Sequence, residues 1–158
     1  MTTDLTQTEL ARTRARAHNN CVVCDPTNKR GLGLEFTITE DGGVEATFSC
    51  DRVFEGYPNC LHGGVVSSLL DGAMTNCVFS RGHYAFTAEL NIRFLHPVVT
   101  GVPATVRAWI DRYYRPLHYV KAEVSQNGEI KAKAEGKFME SPLLKEQQEG
   151  EGRTVVGA

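Results

Sequence analysis

Residues 61–79, LHGGVVSSLLDGAMTNCVF, carry the side chains and backbone best suited to chemistry. The segment begins with His62, Gly63 and Gly64 and continues as an apolar run that contains one acid, Asp71. At the first turn of a helix the backbone N–H groups have no intrahelical partner, and glycine lets another molecule approach them closely. Such donors stabilise the negative charge that develops on a carbonyl oxygen during acyl transfer. The segment therefore predicts a helix whose start could serve as an oxyanion hole.

These residues alone leave two structural interpretations open. Gly63 and Gly64 could serve only to let the helix pack tightly against a strand, with His62 as a cap. Asp71 could be a buried carboxylate that accepts hydrogen bonds from Thr75 or from a strand. Burying it without a partner would cost several kcal/mol, so Asp71 must have a partner or face a cleft.

The spacing between the histidine and the acid predicts a site shared by two chains. Nine positions of helix place Asp71 about 13 Å beyond His62 along the axis and about half a turn around it. Groups that act on one substrate atom must approach to about 3–3.5 Å. Two antiparallel copies of the helix, related by a two-fold axis, would bring the glycines of one chain to the acid of the other. An enzyme built on this segment is therefore expected to be a homo-oligomer, a dimer or a dimer of dimers, with its site at the subunit interface.

Composition narrows the class of protein. A chain of 158 residues fits one domain, and a net charge of −2 with interspersed signs argues against nucleic acid as a partner. A membrane partner is not expected either, because no apolar run is long enough to cross a bilayer and the first 20 residues hold no apolar signal segment. Five cysteines without such a signal indicate reduced thiols. A cytoplasmic location is therefore expected.

Cys21 and Cys24 form a CxxC motif, which could be half a zinc site or a redox pair. Cys50 and Cys60 do not supply a second CxxC, and no βαβ pattern surrounds the first. Neither interpretation is adopted, so no metal and no bound cofactor is expected.

Hydrophobic periodicity predicts the remaining elements. Residues 1–20 are expected to form an exposed helix or arm, and residues 141–158 a disordered tail, so that the domain spans residues 21–140. Alternation on both sides of EDGG, residues 40–43, predicts a hairpin. Four later runs have the period of strands: HYAFTAELNIRFLHPV, VPATVRAWIDRYYR, LHYVKAEVSQ and GEIKAKAEGKFME. Their large apolar residues, and the one that ends the helical run, are predicted to lie in the core: Phe79, Phe86, Phe94 and Trp109.

One helix that is apolar nearly all round can be buried among antiparallel strands only if the sheet curls around it. We therefore expect an α+β hotdog fold, a curved sheet of about six strands wrapped around one long central helix.

The segment GYPNCLHGGVVSSLLDGAM resembles the hotdog-fold acyl-CoA thioesterases of the phenylacetate-pathway (PaaI-like) type. FTAELNIRFLHPV is similar to that family's third strand, and CVVCDPTNKRGLGLEF resembles the leader of a CxxC-bearing subgroup. The resemblance covers residues 20–140. It implies that the Gly63 amide polarises a thioester carbonyl and that Asp71 of the neighbouring subunit acts as nucleophile or as general base on water. It also implies that His62 orients the loop or assists the carbonyl, and that the Thr87 hydroxyl holds the water.

The resemblance also suggests where substrate binds. Gly64 and Asn59 are expected to contact it, although Gly56 stands where several relatives carry Asn or Gln and Asn59 is out of register with that position. Arg112 and Arg115 are candidates for the phosphates of coenzyme A, and a solvated turn would explain them equally well.

The expected function is hydrolysis of an acyl-CoA thioester. The alternative is a hotdog protein that binds acyl-CoA without turning it over, as a sensor or carrier partner. Ser67 and Ser68 do not lie in a nucleophile elbow, so a serine hydrolase is set aside. A hydratase on the same fold would need a paired histidine and acid in a pattern that the sequence does not contain.

Overall fold

The structure is a computed structural model, and it describes residues 2–150. These residues form three α-helices, six strands and one short 3-10 helix, Arg52–Phe54. The helices are α1 (Thr2–Ala17), α2 (Gly63–Phe79) and α3 (Pro142–Gly150). The strands are β1 (Thr37–Ile38), β2 (Val44–Phe48), β3 (Ala85–Phe94), β4 (Ala104–Tyr114), β5 (Leu117–Gln126) and β6 (Glu129–Glu140).

The six strands form one antiparallel sheet in the order β1-β2-β4-β5-β6-β3. The sheet curves around α2, which packs against five of the strands. This confirms the α+β hotdog fold and the four long strands that follow the helix.

The apolar composition of α2 explains why the sheet must wrap it. Leu69, Leu70 and Met74 are fully buried, and the helix is buried on all sides from Gly72 to Phe79. The sheet meets these side chains with alternating residues such as Val120 and Phe138. Burying each large apolar side chain contributes about 1.5–3 kcal/mol, so the apolar run drives the wrapping.

The predicted hairpin forms, but its first strand is short. Thr39 and Gly43 close the turn, and β1 then pairs with β2 over two residues. The apolar residues before β1 are buried, yet their backbone bonds go elsewhere: the Leu34 N–H donates to the Val23 carbonyl at 2.8 Å. The alternating apolar residues before β1 therefore reflect burial against the loop that contains the CxxC motif, and not a longer strand.

Strand β3 lies at one end of the sheet, with β6 on one side and no strand on the other in the single chain. The prediction of a core position was wrong for Phe86 and Phe94, which are each 55 % exposed. The prediction was also wrong for Trp109, which is half-buried outside the core cluster, with the Arg107 guanidinium 5.5 Å from the centre of its ring. Phe79 is buried, as predicted.

Both ends of the described chain are more ordered than the sequence indicated. Helix α1 packs against α2 and buries Leu10, so it is not simply an exposed arm. Residues Pro142–Gly150 form α3, where a disordered tail was expected, because proline suits the first turn and good helix formers follow it. Residues 151–158 of that predicted tail lie outside the described residues. Among the described helices, none combines the length and apolar character that a bilayer crossing needs.

Candidate active site

The start of α2 offers one free backbone donor. His62 is the N-cap, and its Nδ1 accepts a hydrogen bond from the Gly64 N–H at 2.8 Å. The N–H groups of Val65 and Val66 donate to the His62 carbonyl at 2.9 and 3.0 Å. Within residues 2–150, the Gly63 N–H has no such partner. Because Nδ1 accepts, Nε2 carries the proton of the neutral ring and can donate to a ligand.

A pocket of about 450 Å³ adjoins this donor. Its lining includes the exposed side chain of Tyr57 together with His62 and Gly63. Gly56 also lines it, and a Cβ at this position would lie 3.1 Å from the Cδ2 atom of His62. Glycine at this position therefore makes room for the histidine, which gives a structural reason for the departure from the family pattern.

Asn59 is placed as a turn residue. Its φ is 63° and its carbonyl accepts the Thr100 N–H at 3.1 Å. Its side chain does not line the pocket described above. The structure thus gives Asn59 a backbone role and leaves its predicted contact with substrate untested.

The second half of the site is the pair Asp71 and Thr87. The Thr87 hydroxyl donates to Oδ1 of Asp71 at 2.8 Å, whereas Oδ2 has no hydrogen-bond partner among the described residues. Burial raises the pKa of Asp71 above its usual range, and the Thr87 hydrogen bond and the nearby His18 oppose that rise. A half-buried carboxylate with a raised pKa and one open oxygen can act as a base or as a nucleophile.

Strand β3 links the two halves. Thr87, near its beginning, contacts Asp71, and Phe94, at its end, lies so that a Cβ on Gly63 would be 3.7 Å from its ring. Eight helical positions separate Gly63 from Asp71, which corresponds to about 12 Å. Within one chain the open amide and the carboxylate therefore lie at opposite ends of β3 and cannot act on one atom.

The two predicted arginines lie away from both halves. Arg112 pairs across the sheet with Tyr119, and its guanidinium is 4.5 Å from the centre of that ring, on the face that points away from α2. Arg115 is 83 % exposed in the turn between β4 and β5, where its Nε lies 3.7 Å from Glu140 Oε2. Such an exposed ion pair stabilises little, so Arg115 is free to contact a ligand.

Two clusters hold side chains that could bind a metal ion. In the first, His18, Cys21 and Cys24 place one ligand atom each within 4.8 Å of one another. The Cys24 hydrogen bond holds the pKa of the Cys21 thiol far below its usual range. Sequence analysis missed His18, although its position three residues before the CxxC was a usable signal.

The second cluster is His83, His118 and Glu140. Burial lowers the pKa of His118, and although burial acts to raise the pKa of Glu140, hydrogen bonds hold it below its usual range. Oε1 of Glu140 accepts a hydrogen bond from the Tyr113 hydroxyl at 2.8 Å. The same oxygen lies 2.9 Å from Nε2 of His118 and 3.0 Å from Nδ1 of His83. A neutral histidine that donates to an ionised carboxylate accounts for this cluster without a metal.

A curved antiparallel sheet around one helix, with an open amide and a carboxylate at the two ends of one strand, defines a hotdog-fold domain. The family model described as Thioesterase superfamily matches residues 59–133, which include α2 and the strands β3 to β5. Over this segment, which is just under half of the chain, the sequence is similar to the thioesterase superfamily.

Two curated relatives carry names of the same kind. The chain is 31% identical over 85 residues to acyl-coenzyme A thioesterase THEM4 of Bos taurus, a match that covers 52% of this chain and 35% of that protein. It is 27% identical over 125 residues to acyl-coenzyme A thioesterase THEM5 of Mus musculus, covering 75% and 50%. The matches thus span between about a third and a half of the length of these relatives.

Solved structures agree in fold. A putative thioesterase related to phenylacetic acid degradation from Ralstonia eutropha JMP134 is 26% identical, with a TM-score of 0.62 and coverage of 68% of this chain and 85% of that one. The PaaI protein of E. coli is 20% identical, with a TM-score of 0.73 and coverage of 86% and 96%. These matches confirm the PaaI-like resemblance, while the CxxC-bearing subgroup stays a prediction.

A hypothetical thioesterase from Streptococcus pneumoniae TIGR4, solved with coenzyme A, is 20% identical, with a TM-score of 0.64 and coverage of 68% of this chain and 88% of that one. Structures of two of its variants also match, one with alanine in place of an aspartate and one with alanine in place of a threonine 16 positions further on.

Proposed function

We propose that the protein is an acyl-CoA thioesterase that works as a homo-oligomer, with each active site built from two chains. The superfamily match and the names of the two curated relatives support the reaction class. The complex of a structural neighbour with coenzyme A supports the thioester carrier. Free thiols at all five cysteines support the cytoplasmic location that we propose with it.

The unpaired edge of β3 is the observation that carries this proposal. An antiparallel pair of β3 strands about a two-fold axis at Asn91 would set Leu90 of one chain opposite Ile92 of the other. Because the register of β3 shifts between Thr87 and Glu89, the same pairing would bring Thr87 of one chain close to Phe94 of the other. Thr87 is hydrogen-bonded to the Asp71 carboxylate, and Phe94 lies next to Gly63, whose N–H is open. This pairing would therefore bring Asp71 of one chain towards Gly63 of the other, twice per dimer, and would cover the exposed phenylalanines.

The chemistry then follows from the two halves. The Gly63 N–H, with the His62 Nε2–H beside it, stabilises the oxyanion as the thioester carbonyl is attacked. Asp71 of the second chain either takes a proton from the attacking water or attacks the carbonyl itself, and Thr87 orients the carboxylate or the water. The carbon–sulfur bond breaks, and coenzyme A leaves as a thiolate that takes up a proton. The general-base route gives the free acid directly, whereas in the nucleophilic route a water molecule hydrolyses the acyl–Asp71 anhydride and so releases the acid. Single turnover in ¹⁸O-water distinguishes the routes, because only the nucleophilic route leaves label on Asp71.

Recognition of the carrier belongs to the same proposal. Gly64 lies beside the Gly63 N–H at the start of α2, where it would allow close approach of the thioester. Asn59 stays a second proposed contact of the substrate. Arg112 and Arg115 stay the proposed contacts of the coenzyme A phosphates, with Arg115 the less restrained of the two. Arg115→Ala should raise KM for an acyl-CoA and leave KM for the matching acyl-N-acetylcysteamine unchanged.

Mixed oligomers test the shared site. Asp71→Asn and Gly63→Pro chains carrying different affinity tags should each be inactive alone. The isolated heterodimer pairs the intact Gly63 of one chain with the intact Asp71 of the other at one of its two sites, so it should regain about half of the wild-type kcat. No recovery would place both groups in one chain. Binding of acyl-CoA by the wild type without release of thiol would instead favour the sensor or carrier role.

A further inference from the structure

We propose that His18, Cys21 and Cys24 form a zinc site with one imidazole and two thiolate ligands. This departs from the metal-free protein expected from the sequence, where the CxxC motif had no third ligand. The fold supplies that ligand, because α1 ends at Ala17 and delivers His18 to the two cysteines.

The spacing of the ligand atoms suits tetrahedral zinc. The Sγ of Cys24 lies 3.6 Å from Nδ1 of His18, and all three ligand atoms lie within 4.8 Å of one another. Zinc binds sulfur at about 2.3 Å and nitrogen at about 2.0–2.1 Å, so the ligand atoms of a tetrahedral site are about 3.5–3.8 Å apart. Small side-chain movements would therefore complete the geometry, and water would take the fourth position.

Neighbouring groups already orient the ligands. The Cys21 sulfur accepts the N–H groups of Val23 at 3.3 Å and of Cys24 at 3.4 Å, an arrangement that suits a thiolate. The His18 ring packs edge-on against Phe79, with 4.8 Å between ring centres. Arg14 donates to the Cys24 carbonyl at 3.3 Å. Partners of this kind fix ligand orientation in metal sites.

The buried wall behind Cys24 contains an unpartnered polar atom. Asn76 is fully buried and interacts with the Cys24 thiol. Its Nδ2 donates to the Gly72 carbonyl at 2.9 Å, whereas Oδ1 is the buried side-chain oxygen for which the described residues offer no hydrogen-bond partner. The residue behind Cys24 thus keeps an unfilled hydrogen-bond acceptor among the described residues, whereas Oε1 of Glu140 in the second cluster already has three polar neighbours.

A metal ion bound by His18, Cys21 and Cys24 would hold the segment after α1 against α2. Val23, between the two cysteines, fills the notch above Gly72 so closely that a Cβ on that glycine would lie 2.3 Å from Val23 Cγ1. Gly72 follows Asp71 directly, so the metal site would lie close to the proposed base or nucleophile without taking part in the reaction steps above. Its role is structural, and its failure would leave the proposed hydrolysis intact.

The test is metal content and binding of the purified full chain. We expect about one zinc per chain by elemental mass spectrometry, a lower melting temperature after chelation, and its restoration by added zinc. Cobalt(II) added to the zinc-free protein should show thiolate-to-metal charge-transfer absorption. Zinc affinity should fall at least about tenfold in His18→Asn and in Cys24→Ser. Cys60→Ser is the matched control, because Cys60 is a half-exposed thiol outside the cluster, and it should bind zinc as the wild type does.

Three results would overturn the zinc site. One is a chain that neither contains zinc nor changes its melting temperature when zinc is added. Another is loss of two hydrogens from the peptide containing Cys21 and Cys24 in freshly isolated protein, which would identify a disulfide pair. The third is unchanged cobalt absorption in Cys24→Ser. The measurements on the wild type do not depend on any variant folding.

Discussion

Asp71 occupies a place that makes its ionised form costly. Burial raises its pKa in the folded chain above the unfolded value of about 3.9. The folded state therefore binds the proton more tightly than the unfolded state, and stability falls as the pH rises through the interval between the two pKa values. Such a cost is the kind that a group retained for reactivity can impose on stability.

Asp71→Asn separates reactivity from stability. We expect kcat for thiol release to fall about 10²–10⁴-fold, because the base or nucleophile is lost. The melting temperature at neutral pH should stay the same or rise, because a neutral amide avoids the cost of the buried charge. Asp111→Asn, at a carboxylate paired with Lys121 at 3.1 Å on the outer face, is the control and should keep wild-type kcat. A low melting temperature for Asp71→Asn would instead indicate a structural carboxylate.

Thr87 should set the pH at which the enzyme becomes active. The proposed mechanism requires ionised Asp71, so kcat/KM should fall as the pH decreases through the raised pKa. The Thr87 hydroxyl donates to that carboxylate and lowers its pKa. Thr87→Val keeps the shape and removes the donor, so the acid limb of the pH–rate profile should move to higher pH. An unchanged acid limb, or one moved to lower pH, would argue against Asp71 as the titrating group.

At the scale of the element, the first residue of α2 allows its N–H to be deleted selectively. Proline is favoured at the first position of a helix and lacks the N–H, and the extended backbone of His62, with φ −59° and ψ 135°, suits a residue that precedes proline. Gly63→Pro should therefore keep the fold and lower kcat about 10²–10³-fold.

Gly63→Ala is the matched variant for that experiment. It keeps the N–H and places its Cβ 3.7 Å from the Phe94 ring, an ordinary contact. We expect it to retain most of the wild-type kcat in the same thiol-release assay. Equal loss of activity in both variants would mean that the added carbon atoms, and not the missing donor, are responsible.

The strands after α2 were predictable because apolar and polar residues alternate in their sequences, and β4, β5 and β6 bury every second side chain over part or all of their length. The residues before β1 were not, because burial against a loop and burial in a sheet produce the same apolar pattern. A register shift between Ile110 and Arg112 also changes which face the end of β4 presents. No local signal marks that irregularity, and it helps to explain why the position of Arg112 could not be anticipated.

The candidate active site was also predictable only in part. Asp71 and Gly63 are recognisable because a lone acid in an apolar helix and a glycine pair at a helix start are rare enough to require a reason. The contact between Thr87 and Asp71 depends on how β3 lies along α2, which is a property of the whole fold. His18 required the end of α1 to be placed, and sequence alone fixes helix ends only to within one or two residues.

At the scale of the whole molecule, assembly should depend on β3. Phe86→Lys puts a charge on its exposed edge, where lysine blocks strand pairing. We expect a folded monomer by light scattering and loss of thiol release together, because each site would lack its second half. Leu143→Lys changes a more exposed apolar residue on α3 and should leave both unchanged. An active Phe86→Lys monomer would contradict the shared site.

The bare edge of β3 has a further consequence for newly made chains in the cell. In the single chain the free edge of this ten-residue strand, with an exposed phenylalanine near each end, is a template for any other extended polypeptide. A chain that has not yet met its counterpart is therefore prone to aggregate, and the hazard grows with the time that it spends alone. A substitution that weakens the proposed pairing of β3 strands should therefore first lower the yield of soluble protein. The kcat of the protein that stays in solution should change only later.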